Sequence, residues 1–150
     1  MRASNALILG SALIAHTLLV GGIPSPWCVP DLTLVGLVLV VSRAPDRWLR
    51  YVAVVGVWTL IWAVRYPRLI LLGYLGVGWI VQWSSRQWDV YNRRLQCVIV
   101  GLATGLMSLG LLWLEELWSL RLCGAVLLRI SLTLLVTWCL FSLMPARADS

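Results

Sequence analysis

The chain has 150 residues and a net charge of +6, with 61% hydrophobic and only 12% charged residues. This composition excludes an ordinary soluble domain and predicts an integral membrane protein. All twelve basic residues are arginines. The absence of lysine excludes Schiff-base chemistry and the lysine-dependent phosphate loop of nucleotide-binding enzymes. We therefore expect the lipid bilayer and other membrane proteins as partners, and no nucleic acid.

The first predicted span covers residues 4–22. No Ala-x-Ala cleavage site follows it, so the pattern favours a retained helix over a signal peptide. The next segment contains Pro24, Pro26 and Pro30, which cannot lie inside a helix because proline lacks an amide donor and clashes with the preceding turn. Asp31 comes directly afterwards. Its carboxylate can accept free amide groups of the following turn, so Asp31 is predicted to cap the second helix.

The second span is predicted over residues 27–44, and two descriptions of its start remain open. The apolar run from Asp31 to Ser42 is short, because a helix that crosses a bilayer needs roughly 20 residues. In the first description, Ser25 caps the helix and Pro26 takes its first position. In the second, residues 24–30 lie at membrane depth, where neighbouring helices shield their irregular backbone.

Four further spans complete the predicted fold, over residues 47–64, 67–83, 95–114 and 119–143. Asp46 is expected to cap the third. Small residues allow helices to approach closely, so we expect packing faces at Gly73 and Gly76 in the fourth span and at Gly101 and Gly105 in the fifth. The predicted fold class is an all-α integral membrane protein, a single domain formed by a compact bundle of about six transmembrane helices.

Arginine positions predict the orientation of this bundle. If the N-terminus is cytoplasmic, eight arginines lie on the inner side and three on the outer side, as the positive-inside rule requires. The inner set is Arg2, Arg43, Arg47, Arg50, Arg86, Arg93, Arg94 and Arg147; the outer set is Arg65, Arg68 and Arg121. Both termini are therefore predicted to be cytoplasmic, in a multi-pass membrane protein.

In this orientation, several ionisable residues collect in the outer half of the bundle. The set is His16, Asp31, Arg65, Glu115, Glu116 and Arg129. A charged residue in the middle of a helix costs about 2.5–3.5 kcal/mol, so it is a functional hypothesis by default. Arg129 has two explanations that stay open: its side chain extends to the outer headgroups, or it pairs with Asp31, Glu115 or Glu116 inside the bundle.

The remaining candidates for chemistry are few. His16 is expected to be a hydrogen-bonded residue of a helix interface, or a proton relay if it lies beside Asp31. The four cysteines are expected to be small buried residues, and a disulfide between Cys28 and Cys123 is the alternative. The sequence presents no nucleophile with a base, no set of metal ligands and no paired-carboxylate site. We therefore predict no catalytic residue, no metal and no cofactor.

Two segments resemble the bacterial rod-shape-determining MreD family. Residues 30–39 (PDLTLVGLVL) follow a proline-containing loop, and the family also opens its second helix with a Pro-Asp or Pro-Asn step. Residues 71–79 (LLGYLGVGW) are similar to its glycine-bearing fourth helix. One feature departs from the family: the loop before that helix commonly carries an acidic residue there, whereas this chain has Arg65 and Arg68.

The resemblance implies a non-enzymatic scaffold of the cell-wall elongation machinery, located in the bacterial inner (cytoplasmic) membrane. Its expected partners are an MreC-like bitopic protein and the peptidoglycan synthases, and its expected fold is similar to the substrate-binding subunits of energy-coupling-factor transporters. Two other functions stay open. One is a substrate-binding subunit of such a transporter, suggested by His16, Asp31 and Arg129. The other is an accessory subunit of a respiratory or photosynthetic membrane complex.

Overall fold

The structure is a computed structural model that describes residues 2–62, 66–87, 92–114 and 119–143. Within these residues the chain forms six α-helices and no strand. The helices are α1 (Arg2–Gly22), α2 (Leu32–Arg43), α3 (Trp48–Trp62), α4 (Pro67–Gln87), α5 (Arg93–Leu114) and α6 (Leu120–Leu143). Short 3-10 turns at Pro26–Cys28 and Pro45–Arg47 precede α2 and α3.

Helix α2 is the centre of the bundle. It contacts each of the other five helices, and every residue from Thr33 to Ser42 is buried. The physical reason is its composition: a helix that is apolar on all sides is stable only when it is enclosed on all sides. The other helices bury one face and leave large apolar side chains such as Leu7, Leu106 and Leu120 exposed.

Both ends of α2 follow from local sequence. At its start, Asp31 Oδ1 accepts the Leu34 N–H at 3.1 Å, which confirms Asp31 as the N-cap. The helix does not begin at Pro26, because residues 26–28 form a separate 3-10 turn that packs against α6. At its end, the Ala44 N–H donates to the Val40 and Val41 carbonyls, and Pro45 follows. The residue before a proline is disfavoured in helical conformation, so α2 stops there.

The predicted cap of the third helix is wrong. Asp46 lies inside the 3-10 turn Pro45–Arg47, and α3 starts after that turn, at Trp48. The N-cap of the turn is Ala44, which has no polar side chain to offer. A proline suits the first position of a helical turn. The turn therefore begins at Pro45, one residue before the aspartate.

Side-chain contacts show that neighbouring helices run antiparallel. In the α5–α6 pair, Gly101 approaches Leu134 and Gly105 approaches Ile130, so one sequence number falls as the other rises. The α3–α4 pair behaves in the same way, with Gly56 against Leu71 and Gly78 against Trp48 and Val52. The bundle therefore consists of sequential helices joined by short connections, as in other helical bundles.

Three of the four glycines predicted to lie in packing faces do so. A Cβ atom at Gly73 would lie 2.9 Å from the Met107 methyl group, one at Gly101 would lie 3.0 Å from Leu134, and one at Gly105 would lie 3.6 Å from Ile130. Gly76 is the exception, because an added Cβ there meets nothing within 4 Å. It lies about one turn from Gly73 and is exposed.

Among the described residues, three helices are long and apolar enough to cross a membrane: Ser4–Gly22, Arg94–Leu114 and Leu120–Leu143. Helices α2 and α3 have 12 and 15 residues, so they rise only about 18 and 22 Å. A bilayer core is about 30 Å thick. Helix α4 has 21 residues, but its glycines, Gln82, Ser84 and Ser85 make it less apolar. The part of the chain that the structure describes is thus all-helical, with three candidate membrane-spanning helices.

Candidate functional site

The Asp31 carboxylate is a buried polar group with a partner on each of its two oxygens. Asp31 is only 2% exposed. The prolines before it keep the preceding segment out of a regular helix, and Asp31 stands directly before α2, where its Oδ1 atom caps the helix. A carboxylate in this position also opposes the positive end of the helix dipole. Burial of such a charge is costly unless another group pairs with it.

Arg129 of α6 supplies that pair. Its Nη2 atom lies 3.3 Å from Asp31 Oδ2, and its side chain is 16% exposed. One carboxylate oxygen of Asp31 thus accepts a backbone N–H of α2, and the other pairs with Arg129 of α6. The structure brings these two predicted residues together across 98 positions of sequence. Little water reaches the pair, so its Coulomb attraction is weakly screened.

Thr133 adds a second connection between the same two helices. Its Oγ1 atom accepts the Asp31 N–H at 3.0 Å and donates to the Arg129 carbonyl at 2.7 Å. Thr133 is four residues after Arg129, so the two side chains lie on one face of α6. We call Asp31, Arg129 and Thr133 the Asp31 clasp. It attaches the start of the central helix to α6 through an ion pair and a hydrogen bond.

Sequence reasoning missed Thr133, although its spacing from Arg129 was a usable signal. A threonine one helical turn from a charged residue presents its hydroxyl to the same neighbour. It also missed Tyr74 of α4, which is 5% exposed. The Tyr74 hydroxyl interacts with the Thr33 side chain and lies near enough to Asp31 and Arg129 to interact with both charges. No local sequence pattern predicts that this tyrosine lies near Asp31 and Arg129.

His16 lies at the edge of the clasp rather than inside it. Its Nδ1 atom is 3.2 Å from the Pro30 carbonyl, the group directly before Asp31, and it must donate there because a carbonyl only accepts. The next residue, Thr17, accepts a hydrogen bond from Trp58 Nε1 at 3.1 Å. These two contacts hold the middle of α1 to the loop before α2 and to α3, which is an interface role.

Other predicted candidates are not brought to this site. Arg65, Glu115 and Glu116 lie outside the described residues. The cysteines Cys28, Cys97, Cys123 and Cys139 are all free thiols, so the alternative of a Cys28–Cys123 disulfide is not realised. The prediction that they are buried is also wrong, because Cys139 is exposed and the other three are half-buried. Over the described ranges, His, Cys, Asp and Glu side chains form no group of three that is able to hold a metal ion.

Removing the Thr133 hydroxyl should show how much its hydrogen bond with the Asp31 N–H stabilises the bundle. Thr133→Val leaves the buried Asp31 N–H without an acceptor, so we expect the free energy of unfolding to fall by about 1–3 kcal/mol. Thr137→Val is the matched control, because Thr137 is equally buried but only donates to the Thr133 carbonyl. The free energies of unfolding of both variants would be measured in mixed detergent micelles. Equal losses in the two variants would contradict the role given to Thr133.

Comparison with known proteins adds no relative to this description. No protein-family model, no curated protein and no solved structure matches the chain.

Proposed function

We propose that the chain is a non-enzymatic scaffold subunit of the bacterial cell-wall elongation machinery in the inner membrane. The starting point is the resemblance of residues 30–39 and 71–79 to the MreD family. The first of these segments is the start of the central helix and the second lies in α4. Both segments contribute buried residues to the core, among them Leu34, Tyr74 and Val77.

The observation that carries this proposal is that both carboxylate oxygens and the N–H of Asp31 already have partners within the bundle. Oδ1 of Asp31 holds the α2 backbone, Oδ2 holds Arg129, and the Asp31 N–H holds Thr133. A catalytic carboxylate has to approach a substrate, whereas this one is buried with both oxygens engaged. Such a joint stabilises one shape of the bundle, which is what a scaffold contributes to an assembly.

The proposal includes six spans, with both termini in the cytoplasm. The 12-residue α2 does not cross a bilayer alone, so the preceding segment of residues 23–31 would lie at membrane depth. Irregular backbone is tolerated there when protein covers it. Here the Pro26–Cys28 turn packs on α6, and Val29 and Asp31 are buried. The arginine distribution supports the cytoplasmic placement of the termini.

The proposed partners are an MreC-like bitopic protein and, with it, the peptidoglycan synthases. The exposed surface of the bundle suits such contacts, because it carries large apolar side chains on several helices. Examples are Leu72, Trp79, Leu106, Trp113 and Leu127, which are 56–70% exposed. A single transmembrane helix of a partner could replace lipid on any of these faces, since helices associate in membranes through close packing.

The test is a pull-down of the tagged chain from its own membranes in mild detergent, with mass spectrometry of the recovered proteins. We expect enrichment of an MreC-like protein and of peptidoglycan synthases. The control is an unrelated multi-pass protein with the same tag, made at the same level, because apolar surfaces recover membrane proteins without specificity. Enrichment of ATPase subunits would instead indicate a transporter, and enrichment of a redox complex would indicate an accessory subunit.

A further inference from the structure

Two buried hydroxyls on α5 lack the hydrogen bond that several other helical hydroxyls of the described residues make. A serine or threonine in a helix commonly donates to the carbonyl four residues earlier. Examples here are Thr17, Ser42, Thr59, Ser131, Thr133, Thr137 and Ser142. Thr104 and Ser108 are 0% and 1% exposed, yet neither hydroxyl has a hydrogen-bond partner among the described residues.

Helix register places both hydroxyls at the level of the Asp31 clasp. Gln96 of α5 donates to Ser42 of α2 at 2.9 Å. Eight residues further along the antiparallel helices, Thr104 therefore lies level with Leu34, whose N–H binds Asp31. On the other side, Gly105 approaches Ile130, the neighbour of Arg129. Ser108 lies one turn beyond Thr104 on the same face.

Arg129 has an unused donor at the same level. Its Nη2 atom binds Asp31, but its Nε atom is buried and has no hydrogen-bond partner in the part of the chain that the structure describes. Thr104, Ser108 and Arg129 Nε, which have no hydrogen-bond partner among the described residues, thus lie at about the level of the start of α2. Buried polar groups in folded proteins are nearly always hydrogen-bonded, so each exception calls for an explanation.

We propose that Thr104, Ser108 and Arg129 Nε form a binding site, beside the Asp31 clasp, for a neutral molecule that bears hydroxyl or carbonyl groups. An oxygen acceptor suits Arg129 Nε, which only donates, and both hydroxyls donate and accept. The ligand is neutral because Asp31 and Arg129 already balance each other, and a further buried charge would be unpaired. Water and a hydroxyl-bearing organic solute share this chemistry. The site does not depend on the scaffold function.

The sign of a stability change tests whether the site is filled. Thr104→Val keeps the shape of the side chain but removes the hydroxyl. With a bound ligand the variant loses a hydrogen bond, so we expect the Tm to fall by about 2–4 °C. Without a ligand the variant removes an unsatisfied polar group, and the Tm rises. Ser108→Ala tests the second hydroxyl in the same way, and Thr137→Val is the control for a hydroxyl that bonds only its own helix.

Native mass spectrometry of the protein released from detergent micelles distinguishes the two sources. An added mass that is present on the native chain and absent from Thr104→Val identifies an organic solute. A lower Tm with no added mass identifies water. An unchanged or raised Tm for both Thr104→Val and Ser108→Ala would overturn the site.

Discussion

Asp31→Ala should lower the free energy of unfolding by about 3–5 kcal/mol, because it leaves the Arg129 guanidinium buried without its partner. The loss also includes the N-cap of α2, since alanine cannot accept the Leu34 N–H. Unfolding in mixed micelles, followed by circular dichroism, measures the change. The control is Asp46→Ala at an exposed aspartate, which should change stability by less than about 0.5 kcal/mol.

A double-mutant cycle separates the ion pair from the cap. Asp31→Asn keeps an oxygen acceptor for the Leu34 N–H but removes the negative charge, and Arg129→Gln removes the positive charge. Each single variant leaves one buried charge uncompensated, and the double variant leaves none. We expect the double variant to lose less stability than the sum of the two single losses, by about 0.5–3 kcal/mol. Strictly additive losses would show that the 3.3 Å contact contributes nothing.

Gly36→Ala should destabilise the bundle by about 1–3 kcal/mol through overpacking of the α1–α2 interface. A Cβ atom at Gly36 would lie 2.6 Å from the Ala12 Cβ, well inside van der Waals contact. Neither methyl group has a torsion that could move it away, so the two helices must separate. Gly10→Ala on α1 is the control, because an added Cβ there meets nothing within 4 Å. Alanine should be neutral or favourable at Gly10, since it is the better helix former.

Ala12→Gly provides a rescue that a general loss of stability would not show. In the double variant Ala12→Gly/Gly36→Ala, the methyl group is moved from one helix to the other and the clash disappears. We therefore expect the double variant to be more stable than Gly36→Ala alone, measured by unfolding in the same micelles. A double variant that is less stable than Gly36→Ala would mean that α1 and α2 do not meet at these residues.

The two proposals for this chain make separable claims. The scaffold proposal concerns which proteins contact the outside of the bundle, and its pull-down does not depend on Thr104 or Ser108. The ligand proposal concerns the interior, and its thermal test needs no partner. A filled interior site together with recovery of ATPase subunits would favour the transporter reading. A filled site together with recovery of MreC-like partners would indicate a scaffold subunit that also binds a small molecule.

Local sequence determined the helical class, the apolar character and the start of α2. Helix breaks are local properties, because a proline inside a helix lacks an amide donor and clashes with the preceding turn, and because Asp31 caps α2 through an amide three residues away. The prediction for Asp46 used the same reasoning but was wrong, since the competing signal of Pro45 was equally local. Hydropathy also predicted helices long enough to cross a membrane, and three of them meet that description.

Tertiary structure alone decided which residues meet. The sequence left Arg129 with several possible partners, and Asp31 lies beside it because α6 packs against the start of α2. It also decided that the shortest helix is central, that Gly36 rather than Gly76 is in a close contact, and that Tyr74 lies near the clasp. The physical reason is that the helices are apolar on nearly every face. Hydrophobic periodicity therefore does not distinguish a face that packs on protein from one that contacts lipid.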